Sequence, residues 1–139
     1  GCLSYEDYKV FVLPYMKQML HQIKSHSSTP VILFGVGTAH LLELMKEAGS
    51  DVIGLDWRVD IKEEWKKLNY EVAVQGNLDP ALLFAPWELI ENKACQILDQ
   101  VDRDGFIFNL GHGILPHTPV DNVKRLVELV HSYRKVPAQ

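Results

Sequence analysis

Four short apolar runs, each followed by a segment with helical spacing, constrain this chain more than any other feature of its sequence. The runs are Val31-Ile32-Leu33-Phe34-Gly35-Val36, Asp51-Val52-Ile53-Gly54-Leu55-Asp56-Trp57, Glu71-Val72-Ala73-Val74-Gln75 and Gly105-Phe106-Ile107-Phe108-Asn109-Leu110. Continuous rather than alternating apolarity predicts strands buried on both faces. Strands that alternate with helices pair in parallel through helical crossovers. The prediction is an α/β chain: a helical segment, then four βα units. Two architectures share that pattern, an open doubly wound sheet and part of a (β/α)8 barrel. A whole barrel takes about 250 residues, so four of its units take roughly half of that.

The helices announce their ends. Ser4-x-x-Asp7 is a capping box, and Tyr8, Phe11, Val12, Tyr15, Met19, Leu20 and Ile23 follow with helical spacing. Pro14 lies inside that pattern and predicts a kink or two abutting helices. A loop is expected from Ser25 to Pro30. Thr38 is placed to cap a helix carrying Leu41, Leu42, Met45 and Ala48, closed by Gly49. Asp60 caps one with Ile61, Trp65 and Leu68 inward, and Asp79-Pro80 reads as N-cap and N1. Pro86 opens a longer helix with Trp87, Ile90, Ala94, Ile97, Leu98 and Val101 inward. Thr118-Pro119-Val120-Asp121 is a second capping box, before a helix with Val123, Leu126, Val127 and Val130 on its core side. Val136-Pro137-Ala138-Gln139 reads as a tail.

Composition narrows the function classes. The 139 residues are 47% hydrophobic with a formal net charge of −4, which leaves no basic footprint for nucleic acid. No apolar run approaches the roughly 18 residues of a membrane span. The start has no signal-peptide pattern and reads like the middle of a protein. Cys2 and Cys95 fit neither a metal motif nor a disulfide framework, which suits a reducing, cytoplasmic setting.

In both architectures the chemistry collects at the C-terminal strand ends. Those ends read Gly35-Val36-Gly37-Thr38, Leu55-Asp56-Trp57-Arg58, Gln75-Gly76-Asn77-Leu78-Asp79-Pro80 and Asn109-Leu110-Gly111-His112-Gly113. Capping accounts for Thr38 and Asp79. His112 stands between Gly111 and Gly113, where little crowds a ligand approaching the imidazole. His21, His26, His40, His117 and His131 lack metal-ligand spacing, so no metal site is expected. Gly35-Val36-Gly37-Thr38-Ala39-His40, with Asp56 ending the next strand, imitates an S-adenosylmethionine- or nucleotide-binding Rossmann-like site. The pattern breaks at His40, where the third glycine belongs.

Taken in order, Leu3-Ser4-x-x-Asp7-Tyr8, Phe11-Val12-Leu13-Pro14-Tyr15, Phe34-Gly35-Val36-Gly37, Val52-Ile53-Gly54-Leu55-Asp56-Trp57, Gln75-Gly76-Asn77-Leu78-Asp79-Pro80 and Asn109-Leu110-Gly111-His112-Gly113 resemble the C-terminal portion of the uroporphyrinogen decarboxylases. The resemblance implies residues 1–139 as one partial domain, the C-terminal half of a TIM-type barrel with strands in sequence order and the N-terminal half absent from this chain. It implies a cytoplasmic homodimer in haem biosynthesis, a porphyrinogen substrate, and removal of four acetate carboxyls from uroporphyrinogen III without a cofactor. It also implies an inactive fragment, because the family's arginine-rich motif, catalytic aspartate and substrate-contacting tyrosine are not in this sequence, and its substrate-contacting serine falls just before Gly1. No catalytic residue is therefore assigned here. His112 matches a substrate-contacting position, and Gly111, Gly113, Asp56, Gln75 and Asn77 are expected around the same cavity. Related zinc-dependent methyltransferase barrels place thiolate ligands where this sequence has Phe34, Val36 and His112, so that chemistry is not expected. A non-catalytic binding remnant is the remaining alternative.

Overall fold

The computed structural model describes residues 2–101 and 103–134. The tail expected over 136–139 and Gly1 lie outside them.

Two helices lead. α1 (Tyr5–Phe11) starts at Ser4, whose hydroxyl oxygen accepts from the Asp7 backbone N–H at 3.1 Å while donating to the Asp7 carboxylate at 2.8 Å. α2 (Leu13–His26) abuts it across Val12, with Pro14 in its first turn, where a missing N–H costs nothing. α2 runs to His26, two residues into the expected loop.

The βα units follow: β1 (Ile32–Phe34), a 3-10 turn (Ala39–Leu41) and α3 (Leu42–Glu47); β2 (Val52–Gly54) and α4 (Ile61–Lys67); β3 (Ala73–Leu78), a 3-10 turn (Pro80–Phe84) and α5 (Trp87–Gln100); β4 (Phe106–Leu110) and α6 (Val120–Ser132). The strands pair in parallel in the order β1-β2-β3-β4. A doubly wound sheet would carry β1 between later strands. Here β1 is an edge, so the Rossmann-like alternative loses the switch point that its ligand would need. Singly wound order with right-handed crossovers keeps the helices on one side, as in a barrel segment.

Asp60 and Asp79 cap as expected, accepting from the Glu63 N–H at 3.0 Å and the Ala81 N–H at 2.9 Å. Thr38 and Thr118 do not. Each hydroxyl instead donates back to the carbonyl three residues earlier, Gly35 at 2.9 Å and Leu115 at 2.6 Å. Threonine offers its backbone that local alternative to a cap. Pro119 takes the N-cap position of α6, because the residue before a proline is held extended.

Strand burial also departs from expectation. The core lies between sheet and helices and includes Leu20, Leu41, Leu44, Ile53, Ile61, Leu78, Leu83 and Ile90. The other sheet face is open: Ile32, Phe34 and Ile107 are 41–46% exposed. Continuous apolarity therefore marks strands made to be covered twice, of which the helices supply one cover. β1 and β4 are both edges, and β4 borders a groove of about 240 Å³ under α6 lined by Leu83, Phe108, Val123 and Leu126.

Salt bridges tie α2 to the layer. Lys17 meets Glu47 at 2.6 Å, and Lys24 meets Asp51 at 2.6 Å. Asp51 also accepts the Val31 N–H at 2.8 Å, joining the entries to β1 and β2. Together these contacts hold the Asp51 carboxyl below its ordinary pKa, the Lys24 hydrogen bond contributing most.

Candidate functional site

The open sheet face carries the candidate site. Strand register sets Phe34, Gly54, Gln75 and Ile107 in one row across the sheet. Alternation along a strand keeps that row on one side. A Cβ on Gly54 would lie 2.7 Å from Cδ2 of Phe34, so the missing side chain makes room for the aromatic ring. Above the row is an open cavity of about 290 Å³, lined by Phe34, Gly54, Gln75, Asn109, His112 and Gly113 among others. It has an apolar floor and a rim of amides and an imidazole.

β3 extends to Leu78 rather than ending at Gln75, so Gln75 sits mid-strand beneath the mouth. Gln75, His112 and Gly113 meet in one cavity. Asn77 and Asp56 do not line it. Asn77 is 6% exposed, and its side-chain amide donates to the Asp56 carbonyl at 3.0 Å and the Val59 carbonyl at 2.8 Å. It faces a second groove beside α5, shared with Trp57, Asp60 and Lys93. Its position suits holding the loop after β2.

Asp56 is 5% exposed. One carboxylate oxygen accepts the Arg58 N–H at 2.8 Å. The other accepts the Gly37 N–H and faces Arg58 Nη1 at 3.4 Å. Asp56 therefore clamps the loop after β1 to the loop after β2. The Gly37 N–H that a dinucleotide phosphate would need is already taken.

Gly111 is explained by crowding. Its N–H donates to the Leu78 carbonyl at 2.7 Å, and an added Cβ would lie 2.4 Å from the Trp57 backbone nitrogen. Gly113 has open space at the same position. His112 is exposed, its ring set edge-on to Trp57 with centroids 6.1 Å apart and planes at 86°. Its Nδ1 lies 3.4 Å from the Gly113 carbonyl, a weak contact that leaves the imidazole available. Trp57 also carries the Arg58 guanidinium over its ring at 4.0 Å.

Sequence reasoning did not place Phe34 or Asn109 in this cavity, nor Ile107 in the sheet row beneath it. The signal was present in the register: residues two apart along the fourth run share a face, and that face ends at the His112 turn. No group of three or more metal-ligating side chains occurs among the described residues. No helix there is long and apolar enough to cross a membrane.

Comparison with known proteins matches residues 1–133 to the uroporphyrinogen decarboxylase family. The uroporphyrinogen decarboxylase of Koribacter versatilis is 53% identical over 134 residues, covering 96% of this chain and 38% of that protein. Those of Sorangium cellulosum and Halalkalibacterium halodurans are 46% and 48% identical, with 40% and 38% of their lengths covered. The chain thus spans about two fifths of the length of the curated relatives it matches.

Proposed function

The chain belongs to the uroporphyrinogen decarboxylase family, and from that premise we propose that it supplies four βα units to a barrel enzyme converting uroporphyrinogen III to coproporphyrinogen III. The observation that carries this reading is the cavity on the open sheet face. Phe34 in the cavity and Ile107 in the same row of the sheet give an apolar surface suited to a tetrapyrrole ring, Gln75 offers a hydrogen-bond donor beneath the mouth, and His112 offers one at the strand-end rim.

The chemistry needs little from these residues beyond holding the substrate. Protonation of the pyrrole carbon beside an acetate arm turns the ring into an electron sink. The bond from the arm's methylene to its carboxylate then breaks, its electron pair enters the ring, and CO2 leaves. A proton taken up by the methylene carbon and the loss of the first proton restore the pyrrole with a methyl group. Net, one proton replaces one CO2, four times over, and no cofactor is required. In this reading His112 donates to a substrate carboxylate. Stabilisation of the cationic ring belongs to a carboxylate outside these residues. The working protein is a cytoplasmic carboxy-lyase and homodimer of porphyrin synthesis, without nucleic acid as a partner.

The same reading makes the 139 residues inactive alone, since one imidazole and Arg58 near the strand ends cannot hold eight carboxylates. The test compares the chain alone with an enzyme in which it replaces the corresponding stretch of the Koribacter versatilis relative. The replaced enzyme is expected to release CO2 from uroporphyrinogen and the chain alone to release none. A replaced enzyme that folds but neither binds nor decarboxylates uroporphyrinogen overturns the reading.

A further inference from the structure

We infer that Arg58, in the loop after β2, is a carboxylate-binding residue and takes a peripheral carboxylate of the substrate next to the one held by His112. This rests on the reading above and adds to it a residue and a ligand group.

The loop after β2 is built to present this guanidinium. The Arg58 N–H is fixed to Asp56 Oδ1 at 2.8 Å, and the guanidinium lies 4.0 Å from the centre of the Trp57 ring. Stacking on an indole pre-orders the planar fork, so less rotamer freedom is lost when an anion binds. Its pairing with Asp56 is incomplete. Only Nη1 reaches that carboxylate, at 3.4 Å, and the accepting oxygen is shared with the Gly37 N–H. A guanidinium has five N–H donors and pairs best with a carboxylate through two parallel bonds. The Arg58 side chain is 52% exposed while that of Asp56 is 4% exposed. Asp56 thus braces the cation from below and leaves its outer donors to solvent.

Position supplies the second argument. Trp57 has Arg58 over its ring and His112 in a T-shaped contact with it. One ring therefore stands between a permanent cation and the imidazole that lines the cavity. Of the other arginines among the described residues, Arg103 precedes β4, Arg125 is in α6 and Arg134 follows it. Arg58 is the arginine among the described residues that a strand-end loop carries, one indole ring away from His112. A substrate ringed by carboxylates presents neighbouring anions to such a pair of donors.

The test uses the replaced enzyme, in which the unmodified sequence must first turn over uroporphyrinogen; failure there, with no binding of oxidised uroporphyrin, overturns the functional reading and this inference together. In the active enzyme, Arg58→Gln is expected to raise KM for uroporphyrinogen about tenfold and to leave kcat within about twofold, since a charge-assisted hydrogen bond to a substrate carboxylate at the edge of the site acts on binding. Arg58→Lys keeps the charge without the fork and is expected to fall between. The melting temperature stays within a few degrees for both. Unchanged KM in Arg58→Gln overturns the inference alone. So does a joint fall of kcat and melting temperature with KM unmoved, which marks a purely structural brace.

Discussion

Gly111 and Trp57 approach so closely that a Cβ on the glycine would stand 2.4 Å from the Trp57 backbone nitrogen. The turn after β4 therefore rests directly on the loop after β2, across the end of β3. Gly111→Ala forces one backbone or the other to move, because the obstructing atoms are main chain. The expected cost is about 1–3 kcal/mol, read as a lower urea midpoint with an unchanged m-value. In the replaced enzyme kcat/KM falls too, as His112 shifts with its turn.

Asn77 is the second support of that loop. Asn77→Ala leaves the carbonyls of Asp56 and Val59 without their side-chain donor, at about 1–3 kcal/mol. Asn77→Asp is expected to be worse at pH 7, since a carboxylate offers no donor and repels both oxygens. Urea unfolding of the three proteins checks the order. An aspartate variant as stable as wild type would rule out the assigned contacts.

His112→Ala in the replaced enzyme removes one hydrogen bond to a charged group. A loss of about 1.5–3 kcal/mol corresponds to roughly 10- to 150-fold in kcat/KM if the bond persists in the transition state. His112→Asn keeps a donor and is expected to lose less. Activity is reduced rather than abolished, because proton transfer and ring stabilisation lie elsewhere. Steady-state rates for each decarboxylation step decide it, and an unchanged alanine variant removes His112 from substrate binding.

Asp51 gives a pH signature. Its carboxyl is held below the ordinary value by the Lys24 hydrogen bond first and the Val31 N–H second. A depressed acid stabilises the fold above its unfolded pKa, about 3.9, and that contribution disappears as pH falls through the lower folded value. Wild type is therefore expected to lose stability below about pH 4 that Asp51→Asn never had. Both partners of the Lys24–Asp51 pair are more than a third exposed, so the difference at neutral pH is small, about 0.2–1 kcal/mol. Thermal melts of both proteins from pH 7 down to pH 3 measure it, and parallel curves would argue against the pairing.

The sequence by itself determined the βα repeat, the two leading helices split near Pro14, and the caps at Ser4, Asp60 and Asp79. These depend on residues within a turn of one another, so periodicity and short spacing report them. Even locally, Thr38 and Thr118 had two partners within reach and chose the backward carbonyl. The strand-end motifs also marked His112 and Gln75 before any fold was known. Tertiary structure alone decided which strand-end residues share a cavity. It set Asn77 under the β2 loop, buried Asp56 in a clamp with Gly37, and put Trp57 between Arg58 and His112. It also left the Phe34 and Ile107 face open, where continuous apolarity had suggested cover on both sides. Those outcomes depend on strand register and on loops meeting across β3. Contacts between residues tens of positions apart leave no period in the chain that makes them.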